Sequence, residues 1–317
     1  MKVTEHIQNA KEKTLFSFEI LPPKKGENVD SVLKNIEPLL QYNPSFIDVT
    51  YHREELVYNE FPDGRITKHS INRRPGTLGT SSIIQHKFGV DTIPHILCGG
   101  FSKSDTENML IDLNFIGIQN VMALRGDASP HETYFSAHPN GNRFANELVK
   151  QIVNLNNGKY IDGHTTSNKT NFQIGVAGYP EKHMEAPNLQ NDMKYLKQKI
   201  DAGAEYIVTQ MFFDNQAYFD FVEKCRAAEI HVPIIPGLKP ISTHRHLNII
   251  PHRFHIDLPQ NLIDDIENAK TTKEIKAIGI QHCIQQCEEL LDFGVPALHF
   301  YSMGKAKNVE EVVKEFF

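Results

Sequence analysis

The sequence predicts an α/β chain folded as a (β/α)8 barrel with a few inserted loops and helices. Three observations carry the prediction. Eight short segments rich in β-branched and aromatic residues recur along 317 residues. Stretches with helical spacing separate most of them, which calls for a parallel sheet. The first segment runs into Glu19-Ile20-Leu21-Pro22-Pro23, where a doubly wound open sheet would usually carry a glycine-rich phosphate turn. The closed barrel, typically roughly 250 residues long, accounts for all three.

The strands are expected at 15–20, 46–52, 93–98, 120–125, 173–179, 206–212, 232–238 and 297–302. Pro22-Pro23 stops the first, because proline cannot donate to a ladder. Leu33, Ile36 and Leu40 mark the first intervening helix, Met109, Leu110, Leu113 and Ile116 one before the fourth strand, and Met193, Leu196 and Ile200 one before the sixth. A long helix is expected over 272–292 and another over 306–317. Extra length falls at 53–80, 128–144, 157–171 and 241–262. The first, third and fourth of these, rich in polar or turn residues, read as loops or a lid. Nothing resembles a linker or repeat, so one catalytic domain over 1–317 with no regulatory domain is expected.

Acids outnumber bases 39 to 33, a net charge of −6 without a Lys/Arg block, which argues against nucleic acid as the main partner. The N-terminal MKVTEHIQNAKEKTLF is too charged for a secretory core, and no apolar run approaches spanning length. A cytoplasmic protein without a membrane partner is expected. Cys98, Cys225, Cys283 and Cys287 then read as reduced thiols.

Barrels of this kind place their chemistry at the C-terminal strand ends. Those ends carry, in order, Glu19; Thr50, Tyr51 and His52; His95; Arg125 and Asp127; Tyr179; Gln210; Lys239; and Tyr301. A single polar strand end is ordinary; eight together point to a functional rim. In Asn120–Asp127 an apolar strand delivers a cation, a glycine and a carboxylate. The glycine permits close approach of a flat ligand or a positive φ, although Gly-Asp is also common turn chemistry. Lys199 can reach an anion or lie on a solvated helix face, and Gln210 can read a heterocycle's edge, since an amide both donates and accepts. Cys283 and Cys287 stand four apart, and His244, His246, His252 and His255 match no standard metal spacing, so no metal is expected.

The stretches FSFEILPP, FIDVTY, PHILC, ALRGD, YPEKHMEA, DAGAEYIVTQMFFD, PIIPGLKPI and HFYSMGKA, one per strand, resemble the methylenetetrahydrofolate reductases. The resemblance implies an FAD-dependent oxidoreductase of one-carbon metabolism and methionine biosynthesis. It reduces 5,10-methylenetetrahydrofolate to 5-methyltetrahydrofolate by a ping-pong reaction, with NADH or NADPH as hydride donor and NADH the mild preference, and a homo-oligomer is expected. It implies that Glu19 is the general acid, that Asp127 tunes flavin and pterin, and that Gln210 and Lys305 contact the substrate. It further implies flavin contacts from Thr50, Tyr51, His95, Arg125, Gly126, Asp127, Ala145, Tyr179, His183, Ala186, Asp192 and Lys199, with Lys199 the main cation for the pyrophosphate. A protonated acid suits its apolar neighbours Phe16 and Phe18.

Departures from the pattern are Gln198 and Lys305 where arginines are expected, and His246 and Ile250 where a polar contact and a stacking aromatic are expected, with Phe254 a substitute for the latter. A flavin-free folate or pterin one-carbon transferase on the same barrel is the competing enzyme. A silent binding barrel, which would lack Glu19 or Asp127, is a third reading.

Overall fold

Alternation of inward and outward side chains along each strand builds the architecture. In a computed structural model, which describes residues 1–71, 73–128 and 132–317, the strands are β1 (Leu15–Ile20), β2 (Phe46–Val49), β3 (Glu55–Glu60), β4 (Ile66–Ile71), β5 (Asp91–Leu97), β6 (Asn120–Leu124), β7 (Gln173–Gly178), β8 (Tyr206–Met211), β9 (Ile234–Leu238) and β10 (Ala297–Tyr301). All but β3 and β4 form a closed parallel barrel in the order β1-β2-β5-β6-β7-β8-β9-β10, with β10 pairing back to β1. All eight sequence-predicted strands are present. The helices are α1 (Val3–Ala10), α2 (Val29–Leu40), α3 (Thr77–Phe88), α4 (Lys103–Phe115), α5 (Ala145–Asn156), α6 (Leu189–Asp201), α7 (Asn215–Ala227), α8 (His246–Phe254), α9 (Gln260–Asn268), α10 (Thr272–Phe293) and α11 (Ala306–Val313).

On β1, Phe16, Phe18 and Ile20 join the helix-side core with Val32, Ile36 and Leu39 of α2. Ser17 and Glu19 therefore turn inward. The inward residues are apolar at the barrel's N-terminal end, where Phe46, Ile93, Met122, Tyr206, Ile235 and Ala297 pack with Val3 of α1. That helix seals the floor. The Val3 and Thr4 amides donate to the side chains of Asn120 (3.1 Å) and Gln173 (3.0 Å). Toward the C-terminal end the interior becomes polar.

Two expected loops are elements. Within 53–80, β3 and β4 form an antiparallel hairpin and α3 begins. Asp63-Gly64 turns the hairpin, with Gly64 at φ +77° and its amide donating to the Phe61 carbonyl. Within 241–262 lies α8, whose Ile250 is buried with Met211, Phe213, Ile241, Ile256 and Leu262. The 157–171 segment is irregular, pinned by one bridge between Lys159 and Thr165.

Candidate active site

Glu19 sits in register between Tyr301 of β10 and Asp48 of β2, so three inward polar residues share one level. His95 of β5 completes a stack: its Nε2 lies 3.4 Å from Asp48 Oδ2 and 3.6 Å from Glu19 Oε2. Asp48 is buried, and its Oδ1 has no hydrogen-bond partner among the described residues. Burial raises the Glu19 pKa above the ordinary carboxylate value, against the opposing pull of His95 and a Thr50 hydrogen bond. Burial alone would lower the His95 pKa; the hydrogen bond to Asp48 and the charges of Glu19 and Asp48 raise it instead. Burial thus biases Glu19 toward its neutral form, while Asp48 biases His95 toward its charged one.

Sequence reasoning left Asp48 out. Its signal was a carboxylate at an inward position of FIDV, a strand buried throughout. Asp48→Asn is expected to lower the His95 pKa, read by NMR titration of the imidazole. An unmoved titration would remove Asp48 from the stack.

Around this stack the rim is built from neighbouring strand ends. The Thr50 amide and hydroxyl both donate to the Ile20 carbonyl, at 3.1 and 3.0 Å, and fasten the end of β1. Tyr51 packs edge-on against Phe101. Gln210 Oε1 accepts from the Met211 amide at 3.0 Å, which leaves its NH₂ as the presented group. Tyr301 reaches across β9 and donates its hydroxyl to the Thr209 carbonyl at 2.6 Å. A cavity of about 210 Å³ opens beside it, lined by Lys239, Ser242, His246, Ser302 and Lys305 among others. A larger one of about 340 Å³ lies between α4, α5 and the 159–161 segment. It belongs to the helix ring, away from the strand ends.

A second group gathers at the ends of β6 and β7. Arg125 holds Glu185 through both terminal guanidinium nitrogens, at 2.5 and 2.7 Å, and stacks 4.7 Å above the Phe135 ring. Gly126 adopts φ +85°, a conformation suited to glycine. Asp127 is exposed, and Tyr179 meets the His183 ring edge-on at 4.6 Å. The His183 amide donates to Asp192 Oδ2 at 2.9 Å. Asn188 caps α6 by accepting from the Asn191 amide. Asp192 and Lys199 stand seven apart on that helix and share a face. Lys199 Nζ donates to the Ala177 carbonyl at 2.6 Å, and burial pushes its pKa down to about 8 despite nearby Asp192.

The structure thus brings the predicted residues into two adjoining groups. Ala186 is buried behind the second, where its carbonyl accepts from Lys182. Ala145 opens α5 on the helix ring. Gln198 is exposed. His246 lines the 210 Å³ cavity. Ile250 is buried in the cluster under α8, and Phe254, half-buried, packs against it.

A family model described as methylenetetrahydrofolate reductase matches residues 2–316. Methylenetetrahydrofolate reductase (NADH) 1 of Arabidopsis thaliana is 33% identical over 97% of this chain and 49% of its own length. The 5,10-methylenetetrahydrofolate reductase of Escherichia coli is 29% identical over 92% of this chain and 86% of its own. The chain spans about half the length of the first curated relatives it matches, which are from nematode and plants. A Clostridium thermocellum protein solved with two copies of 5-methyl-5,6,7,8-tetrahydrofolic acid has the same fold, with a TM-score of 0.58 at 15% identity over 99% of this chain and 97% of that one.

Proposed function

Because the chain belongs to the methylenetetrahydrofolate reductase family, we propose that it reduces 5,10-methylenetetrahydrofolate to 5-methyltetrahydrofolate with NAD(P)H, as a single catalytic unit that uses FAD. The observation that carries this reading is the half-buried Glu19 beside the His95–Asp48 pair, at the end of the barrel opposite α1. Glu19 holds a proton at Oε1 or Oε2 and delivers it to a ring nitrogen of the folate, which opens the five-membered ring to an iminium ready for hydride. Gln210 presents its NH₂ to an acceptor edge of the pterin, and Asp127 offers a carboxylate to the donor edge.

The second group fits the flavin. Lys199 spends one of three N–H bonds on Ala177 and keeps two for a pyrophosphate oxygen. Gly126, Tyr179 and the Thr50–Tyr51 turn offer backbone and ring faces to a flat ring system, and FAD, when bound, stores the hydride between the nicotinamide and folate half-reactions. The flavin-free transferase draws on one observation: the Arg125 fork is already occupied by Glu185.

The visible spectrum of the purified protein decides between them. A yellow protein that bleaches with NADH or NADPH without oxygen, and regains colour with methylenetetrahydrofolate, supports the reductase. A colourless protein that takes up no FAD favours the transferase. Asp127→Asn is expected to shift the flavin midpoint potential upward, because a negative charge near the ring disfavours the reduced anion. Its folate turnover should fall as well. An unchanged potential with unchanged turnover would take Asp127 out of the reaction.

A further inference from the structure

Tyr206 opens β8 and points into the barrel, where it packs with Phe46, Ile93 and Met122. Its ring lies across Gly175 of β7: a Cβ added there would stand 2.4 Å from the ring's Cζ and 2.7 Å from the hydroxyl oxygen. Gly175 is in register with Met122 of β6, and Met122 with His95 of β5. The hydroxyl thus rises from the apolar floor toward the level of the Asp48–His95 pair. Asp48 stands just above the same floor, as the next inward residue of β2 after Phe46.

Each side chain carries a bare polar atom. Tyr206 is wholly buried and Asp48 nearly so, and among the described residues neither the Tyr206 hydroxyl nor Asp48 Oδ1 makes a hydrogen bond. A buried donor and a buried acceptor left unpaired are each costly. Burial and the charges of Asp48 and Glu205 raise the Tyr206 pKa well above the usual phenol value, so the hydroxyl keeps the proton it can donate. None of the other titratable groups around Asp48 bonds Oδ1. His95 Nε2 approaches the opposite oxygen, Oδ2, and Glu19 lies on the far side of that imidazole nitrogen. His299 of β10, its pKa lowered by burial despite the Asp48 charge, pairs its Nδ1 with Ser17 Oγ at 3.0 Å.

We propose that one buried water bridges the Tyr206 hydroxyl and Asp48 Oδ1, and that through it Tyr206 is a positioning residue for the Asp48–His95 pair. The water accepts from the hydroxyl and donates to the carboxylate, which satisfies both bare atoms at once. A donor on Oδ1 favours Asp48 as the anion, and the anion holds the charge on His95. Three strands are then joined beneath Glu19: β8 by Tyr206, β2 by Asp48 and β5 by His95. The bridge is read from the barrel interior alone. Its bearing on turnover rests on the reductase reading, in which Glu19 beside His95 is the acid.

Two measurements on the holoprotein test this without turnover. A crystal structure that resolves ordered waters should show one between Tyr206 and Asp48, and Tyr206→Phe, whose ring still covers Gly175, should lose it. The NMR titration midpoint of His95, assigned by the resonance missing from His95→Gln, should fall by roughly half to one pH unit in Tyr206→Phe, the size expected for one hydrogen bond. In the Asp48→Asn background the same substitution should leave His95 where Asp48→Asn alone puts it. A merely structural role for the tyrosine would move His95 in both backgrounds. The native crystal structure alone decides on the water if Tyr206→Phe fails to fold. A direct Tyr206–Asp48 hydrogen bond, no water between the two, or a His95 titration unmoved by Tyr206→Phe would overturn the proposal. Failure of the folate to reoxidise the protein would instead count against the reductase reading and leave both results standing.

Discussion

Glu19→Gln is expected to leave FAD binding and its reduction by nicotinamide close to native while slowing the folate half-reaction by roughly 10²–10⁴-fold. The amide keeps the shape and the neutral charge of a protonated carboxyl in a site whose burial already favours the neutral form. What it lacks is a proton that can leave. In the proposed reaction only the step that protonates the folate nitrogen needs that proton, so the two half-reactions should separate cleanly in stopped-flow traces. Equal slowing of both would show that Glu19 positions the cofactor instead. The substitution also has a stability signature. The raised pKa means the folded chain holds this proton more tightly than the unfolded chain does. That contribution is full below the ordinary carboxylate range and is lost as pH rises through the raised value. Glu19→Gln removes the loss. Its Tm relative to the native protein should therefore improve from acid to neutral pH, and a difference independent of pH would contradict the burial argument.

The barrel was legible because its strands obey one local rule. Each is short, β-branched or aromatic, and closed by a polar residue, and that polar residue is what the proposed chemistry draws on. Glu19, His95 and Tyr301 could be read from position alone, since period-two alternation after an outward Phe18, Pro94 or Phe300 turns the next residue inward. Elements outside that rule were missed. The α1 helix was not anticipated, because what defines it is the pairing of its first amides with Asn120 and Gln173, more than a hundred residues away. The β3–β4 hairpin lay in a polar stretch whose Pro62-Asp63-Gly64 turn was the available signal. In 241–262, Ile250 was compared with a stacking aromatic by counting residues, but α8 sets the helix face and turns it into the apolar cluster.

The candidate site was legible as a set of residues and not as a set of contacts. Nothing local says that Asp48 lies 3.4 Å from His95, since the two are joined only when β2 pairs with β5. The same holds for the cavity beside Tyr301, whose lining Lys239, Ser242 and His246 are near in sequence while Ser302 and Lys305 arrive from beyond β10.

Gly237→Ala is the substitution expected to cost the fold most at the site. A Cβ there would stand 2.3 Å from the Thr209 carbonyl oxygen and 2.5 Å from the Tyr301 ring. Both neighbours are fixed. The Tyr301 ring passes over Gly237 to donate to that same carbonyl, and the Gly237 amide donates to Thr209 Oγ1 at 3.0 Å. The contact on one side is barrel backbone, which cannot rotate away as a side chain can. We expect a loss of about 3 kcal/mol, the upper part of the range for overpacking, read as a lower denaturation midpoint with an unchanged slope. Tyr301→Phe, which removes only the hydroxyl, should cost about 1 kcal/mol. In the double variant Gly237→Ala with Tyr301→Ala, the absent ring should relieve part of the clash while the carbonyl contact remains. The cycle should therefore show coupling without full rescue. Stability within about 0.5 kcal/mol of native for Gly237→Ala would mean that β9 can move away from β8, and the Tyr301 bridge would lose its role in setting the rim.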